Sequence, residues 1–167
     1  MTEKTLMVVD CDAGIDDAQA IMMALAQPHI EVLAITCVVG NQHDVRQICR
    51  NVLRILKVCG KLDKIPVYKG AETTLLHRTN AIDSSHFHGV DGLGDKPDPE
   101  APDDSHIDSK NGILALIDLV KNHPGEITVV ALGPLTNLAL AARVDSDFSK
   151  NIKEVSIMGG NTESKSI

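Results

Sequence analysis

The sequence contains no tryptophan, one tyrosine and two phenylalanines among 167 residues. With 2% aromatic against 43% hydrophobic residues, any core has to be assembled from Leu, Ile, Val, Ala and Met. No run of Lys or Arg could track a phosphate backbone, and a formal net charge of −7 speaks against nucleic acid as a partner. No uncharged apolar span is long enough to cross a bilayer, and MTEKTLMVVD lacks the basic start and small-residue cleavage site of a secretory signal. A cytoplasmic protein without a membrane partner is therefore expected. Cys11, Cys37, Cys49 and Cys59 lack CxxC spacing and fall in apolar-periodic segments, so they read as reduced core thiols and not as a disulfide frame or zinc site. The length suits a single α/β domain over 1–167.

What is present is an alternation of two patterns. LMVV (6–9), EVLAITCVVG (31–40), IPVYKG (65–70), ITVVAL (127–132) and EVSIMGG (154–160) read as strands, and 31–40, β-branched and apolar throughout, is expected to be covered on both faces. Between them, 15–27, 45–59, 113–120 and 135–143 carry apolar residues at three- and four-residue steps, with Pro28 and Gly60 closing the first two. Strand–helix alternation of this kind predicts an open, mostly parallel sheet with helices on both faces. Residues 72–109 read as a long polar loop, acidic and proline-broken over 95–104, of the length that usually carries function.

DCDAGIDD (10–17) sets four aspartates where the first strand becomes a helix. One or two would be ordinary helix caps. Four repel one another, a cost that a cation among them would offset. Carboxylates without His or Cys favour Ca²⁺ or Mg²⁺ over zinc. An EF-hand is excluded, because Asp10 as its first position puts Ile15 at the required Gly and Ile21 at the bidentate Glu. In open parallel sheets ligands bind beyond the carboxyl ends of the strands, where DCDAGIDD lies. VVGN (38–41), ALGPLTN (131–137) and MGGN (158–161) occupy three more strand ends, each with Gly or Asn suited to a close-fitting ligand. Together they describe one pocket rim. GVDGLG neither follows a strand nor opens a helix, so it is not a dinucleotide fingerprint.

DCDAGIDD resembles the DxDPGxDD signature of the inosine-uridine preferring nucleoside hydrolase family, and VVGN, the His88–Gly89–Gly92–Leu93–Gly94 pattern, LGPLTN and MGG follow in that family's order. The resemblance implies a Rossmann-like nucleoside hydrolase core and Ca²⁺-dependent hydrolysis of ribonucleosides to ribose and free base. It implies that Asp12 is the general base and touches the metal, that Asp17 is a bidentate Ca²⁺ ligand, and that Asp10 braces the cluster and the metal's water shell. The Leu132 carbonyl would complete the metal shell. Asp16 and Asn41 would bind the ribose hydroxyls. Met158 matches a sugar-pocket methionine, or else packs at the end of a buried strand. His88 approaches the base in a mobile loop or is simply polar surface, and surface is the expectation for His86. The family commonly forms oligomers, so a homo-oligomer is a further expectation.

Two departures stand out. Ala13 replaces the family's usual Pro, which is expected to loosen the turn. The sequence stops at NTESKSI (161–167), whereas the family continues with an acidic, Asn-bearing ribose segment and a later His–Asp pair. The expectation is a C-terminally truncated N-terminal part, with a non-catalytic form that binds metal or nucleoside weakly as the alternative. A further alternative is a Mg²⁺-dependent phosphatase of the haloacid dehalogenase type, with Asp10 and Asp12 as its DxD and Thr36 in its second motif.

Overall fold

A computed structural model describes residues 4–76 and 84–160. Asn161 of MGGN and the rest of the C-terminal NTESKSI lie outside the described residues, as does the 77–83 part of the long polar stretch. Six strands form one sheet: β1 (Thr5–Cys11), β2 (Ile30–Cys37), β3 (Val67–Lys69), β4 (Ile107–Asp108), β5 (Ile127–Ala131) and β6 (Glu154–Ile157). Their order is β4-β3-β2-β1-β5-β6, and every pairing is parallel. Helices α1 (Ile15–Ala26), α2 (Val45–Val58), α3 (Ser85–His88), α4 (Gly112–Asn122), α5 (Thr136–Val144) and α6 (Phe148–Asn151) connect them.

The period-2 geometry of β1 divides the core in two. Val9 and Cys11 pack with Ile35, Cys37 and the apolar stripe of α2 (Ile48, Cys49, Val52, Leu56) on one face. Val8 packs with Val129, Leu116, Val120, Ala141 and Phe148 on the other. Asp10 is in phase with Val8, so its side chain points toward the α4–α5 layer and not into the α1–α2 layer. Cys11, Cys37 and Cys49 are buried free thiols, as expected. Hydrogen bonding to the Cys11 and Cys49 thiols, then burial, holds the Cys37 thiol well above its usual range.

Three expectations change. The 72–109 stretch is not all loop, because it contains α3, a short 3₁₀ turn at Asp104–His106 and the edge strand β4. Its later part is fastened to α2 by Arg50–Asp104 (2.7 Å) and Arg54–Asp91 (3.0 Å). The last strand is also not buried: all four residues of β6 are exposed, and among the described residues β6 pairs only with β5. Met158, just past it, is 56% exposed. Ala13 has φ 42°, a left-handed conformation that proline, with φ fixed near −65°, does not adopt. Replacing the family's Pro thus changes the path of the turn and does more than loosen it. No helix among the described residues is long and apolar enough to cross a membrane.

Candidate functional site

Because the sheet is all parallel, the ends of β1, β2, β5 and β6 share one edge. Chain direction across the sheet reverses between β1 and β5, since β2, β3 and β4 spread to one side and β5 and β6 to the other. That is the switch point where open α/β sheets form a crevice. The aspartate turn leaves β1 there. Two glycines let the neighbouring chain close on Asp12: a Cβ on Gly40 would stand 2.1 Å from Asp12 Oδ2, and one on Gly133 would stand 3.0 Å from Asp12 Oδ1. Gly40→Ala therefore has to displace the carboxylate or the backbone. The expected result is a loss of about 1–3 kcal/mol in stability, read as a lowered midpoint in urea unfolding.

Each aspartate has a distinct setting. Asp10 is fully buried; its Oδ1 accepts from Thr36 Oγ1 at 2.5 Å and from Asn137 Nδ2 at 2.7 Å. Asp12 Oδ2 accepts from the Asn41 backbone N–H at 2.8 Å. Asp17 Oδ2 accepts from the Gly14 N–H at 2.8 Å, the backward half of a capping box at the start of α1. Capping thus accounts for one oxygen of Asp17 and leaves the other over. Asp16 is exposed on the first turn of α1.

Burial dominates the electrostatics. It pushes Asp10 up to about 7 against the hydrogen bonds from Asn137 and Thr36, and with help from the Asp12 charge it pushes Asp17 up to about 7. Asp12 is raised for the same leading reason. Asp10 Oδ2 and Asp17 Oδ1 are buried and have no hydrogen-bond partner. Orphaned carboxylate oxygens of this kind call for a counter-group, and oxygen is the donor type that hard cations prefer. Among the described residues no three His, Cys, Asp or Glu side chains already stand close enough to enclose a metal ion.

The remaining expected residues gather around Gly14. A Cβ there would meet Asn41 Nδ2 at 2.7 Å and His88 Nδ1 at 2.8 Å, so both side chains converge on the turn. His88 Nδ1 accepts from the Ile15 N–H at 3.2 Å, and Asp16 Oδ1 is 3.9 Å away. The segment bearing His88 is docked and not free: Ser84 Oγ donates to the Asn41 carbonyl at 2.9 Å, and Asn51 Nδ2 donates to the Asp91 carbonyl at 2.8 Å. Leu132 is half-buried at the end of β5, with its N–H donating to the Asp10 carbonyl at 2.8 Å. Met158 is on the same edge, its N–H donating to the Ala131 carbonyl at 2.9 Å, but two strands away from β1.

The sequence profile of the inosine-uridine preferring nucleoside hydrolase family matches residues 7–166. The chain belongs to that family. Among curated relatives, the probable uridine nucleosidase 2 of Arabidopsis thaliana is 42% identical over 158 residues, 95% of this chain and 48% of the relative. The inosine-uridine preferring nucleoside hydrolase of Crithidia fasciculata is 38% identical over 92% of this chain and 48% of its own. Among solved structures, a plant nucleoside hydrolase superposes with a TM-score of 0.84 at 39% identity, covering 94% of this chain and 48% of that one. A purine-preferring ribonucleoside hydrolase from Gardnerella vaginalis gives 0.84 at 30% identity, over 93% and 49%. The chain spans about half the length of the curated relatives it matches.

Within this nucleoside hydrolase sheet, the haloacid dehalogenase alternative loses its footing. Asp10, the nucleophile it requires, is fully buried with one oxygen doubly hydrogen-bonded, and Thr36 is one of the donors that holds it. Three side chains at the site went unassigned in the sequence: Thr36 as a donor to Asp10, Asn137, and Asn51. Asn51 and Asn137 are both fully buried, Asn51 on the otherwise apolar inner side of α2 and Asn137 next to the buried Thr136 at the start of α5. For Asn51, a lone amide at an apolar-face position was the available signal.

Proposed function

We propose that this chain serves the hydrolysis of the N-glycosidic bond of a ribonucleoside to ribose and free base, with Ca²⁺ as cofactor. The observation that carries the reading is the pair of buried, partnerless oxygens, Asp10 Oδ2 and Asp17 Oδ1, at the sheet's switch point in a chain of this family. Asp10, Asp12, Asp17 and the Leu132 carbonyl would hold the ion. When bound, it supplies Lewis-acid activation of water and a clamp for the ribose diol.

The chain's own residues do the rest. Asp12 has one oxygen engaged by the Asn41 N–H, which leaves Oδ1 to take a proton from the attacking water. Its raised pKa makes it a stronger base than an exposed aspartate. Asp16, exposed and near His88, accepts from a ribose hydroxyl, and the Asn41 side-chain amide offers both a donor and an acceptor. Several carboxylates near the sugar favour the positive charge that builds up as the glycosidic bond breaks. The His88 ring, fixed by Ile15, stands at the rim for the nucleobase, and the exposed Met158 side chain offers the ligand an apolar surface. Four free thiols agree with a cytoplasmic setting.

The test is ribose release from inosine and from uridine by the purified chain, in Ca²⁺ and in chelator. Release that needs Ca²⁺ is expected. A folded chain that binds Ca²⁺ yet releases no ribose refutes turnover by this chain and assigns binding alone.

A further inference from the structure

The hydrogen bonds behind Asp10 are more elaborate than the burial of one carboxylate requires. Both donors act on the same oxygen: Thr36 Oγ1 from β2 and Asn137 Nδ2 from α5 both reach Oδ1. Asn137 is itself fully used. Its Nδ2 also donates to the Cys37 carbonyl at 3.1 Å, and its Oδ1 accepts from the Ala71 N–H at 2.8 Å. Turning the amide over would set its oxygen against a carboxylate and a carbonyl at once, so the observed orientation is the one that all its neighbours can accept. Gly70 makes room for it, since a Cβ there would stand 2.4 Å from both amide heteroatoms. The segment after β3, the end of β2 and the start of α5 thus converge on one side of one carboxylate. Two donors on Oδ1 stop rotation of the carboxylate and leave Oδ2, buried and unpartnered, as the only oxygen on offer.

We propose that Thr36 and Asn137 are positioning residues: acting through Asp10, they hold its Oδ1 so that Oδ2 is presented in a fixed direction to the cation and its water shell. The inference rests on the cation-site reading above. Hydrogen-bonded groups that orient a ligating carboxylate commonly govern metal affinity by about 10–100-fold. Thr36 permits a clean separation of chemistry from packing. Thr36→Val keeps the shape and removes the donor, whereas Thr36→Ser keeps the donor and removes a methyl.

The experiment is calorimetric titration of the whole chain and both variants with Ca²⁺, alongside urea unfolding in chelator. Thr36→Val is expected to weaken Ca²⁺ binding by about tenfold or more, while Thr36→Ser stays within about threefold of the parent chain. A merely structural role predicts the reverse order, with the underpacked Ser variant the weaker. Equal affinity in all three chains, or a Ser variant as weak as Val, overturns the inference while leaving the cation site standing. A parent chain that binds no Ca²⁺ overturns the site itself, and the inference with it. If Thr36→Val fails to fold in chelator, Asn137→Ser, which retains a shorter donor, is titrated in its place. Undiminished affinity there is equally contradictory.

Discussion

Asp12→Asn is expected to leave the chain folded and to reduce ribose release by about 10³-fold, within the range that removal of a general base usually costs. The two side chains have the same shape, and the amide oxygen can still accept the Asn41 N–H that now reaches Asp12 Oδ2. The amide cannot take a proton from water. In chelator the variant should be no less stable than the parent chain. Burial already raises the Asp12 pKa, so the charged form is disfavoured there and a neutral isostere relieves that cost. Loss of activity without loss of stability is the signature of a group kept for chemistry. Far-UV circular dichroism, a urea midpoint and a ribose assay on the same preparation check all three points. Undiminished release would remove Asp12 from the base position.

The second large effect concerns pH. Burial pushes Asp10 and Asp17 up to about 7 in the folded chain, far above the ordinary aspartate range of the unfolded one. Between pH 4 and 7 the folded state therefore binds more protons than the unfolded state, and stability falls as pH rises. The stabilising contribution is complete below the unfolded pKa and is lost as pH passes through the folded one. For the fully buried Asp10 the change is on the order of 4 kcal/mol. In chelator the thermal midpoint should rise as the pH is lowered from 8 to 5. With Ca²⁺ present the slope should flatten, because a bound cation favours the ionised carboxylates and stabilises the folded state that binds it. A midpoint that falls on acidification in chelator would show that these two carboxylates are not buried as neutral acids.

These effects concern residues that the sequence exposed unevenly. The β1–α1 and β2–α2 units were legible because a continuous apolar run and a three–four periodicity each have one interpretation at that length. The expected 45–59 helix is Val45–Val58, and the expected 127–132 strand is Ile127–Ala131. Shorter elements carried no period to read: β4 has two residues, and α3 and α6 have four each. β4 is held by pairing with β3, α3 by the bond from the Ile15 N–H to His88, and α6 by contact with α4, none of which local sequence announces. The exposure of β6 was hidden for another reason, since the place of a strand in the sheet order is a tertiary fact.

The candidate site follows the same division. DCDAGIDD was conspicuous because like charges in sequence need an explanation, and the sheet does bring Asp12, Asn41 and His88 around Gly14. The Asn137–Asp10 bond joins residues 127 positions apart, and nothing local foretells it. The positive φ of Ala13 was likewise invisible, because a substitution for proline reads as a loss of stiffness until the backbone is seen.

The central claim, that the aspartate turn is a cation site, is tested most directly by titrating the chain and its Asp17→Ala variant with Ca²⁺ at pH 7.5. Asp17 supplies one of the two partnerless buried oxygens of the aspartate turn, and its removal leaves the α1 N-terminus without its acidic cap but keeps the core. Saturable binding of a single ion by the parent chain, absent from a folded Asp17→Ala, is the predicted result. Equal binding by both chains, or none by the parent, would contradict it.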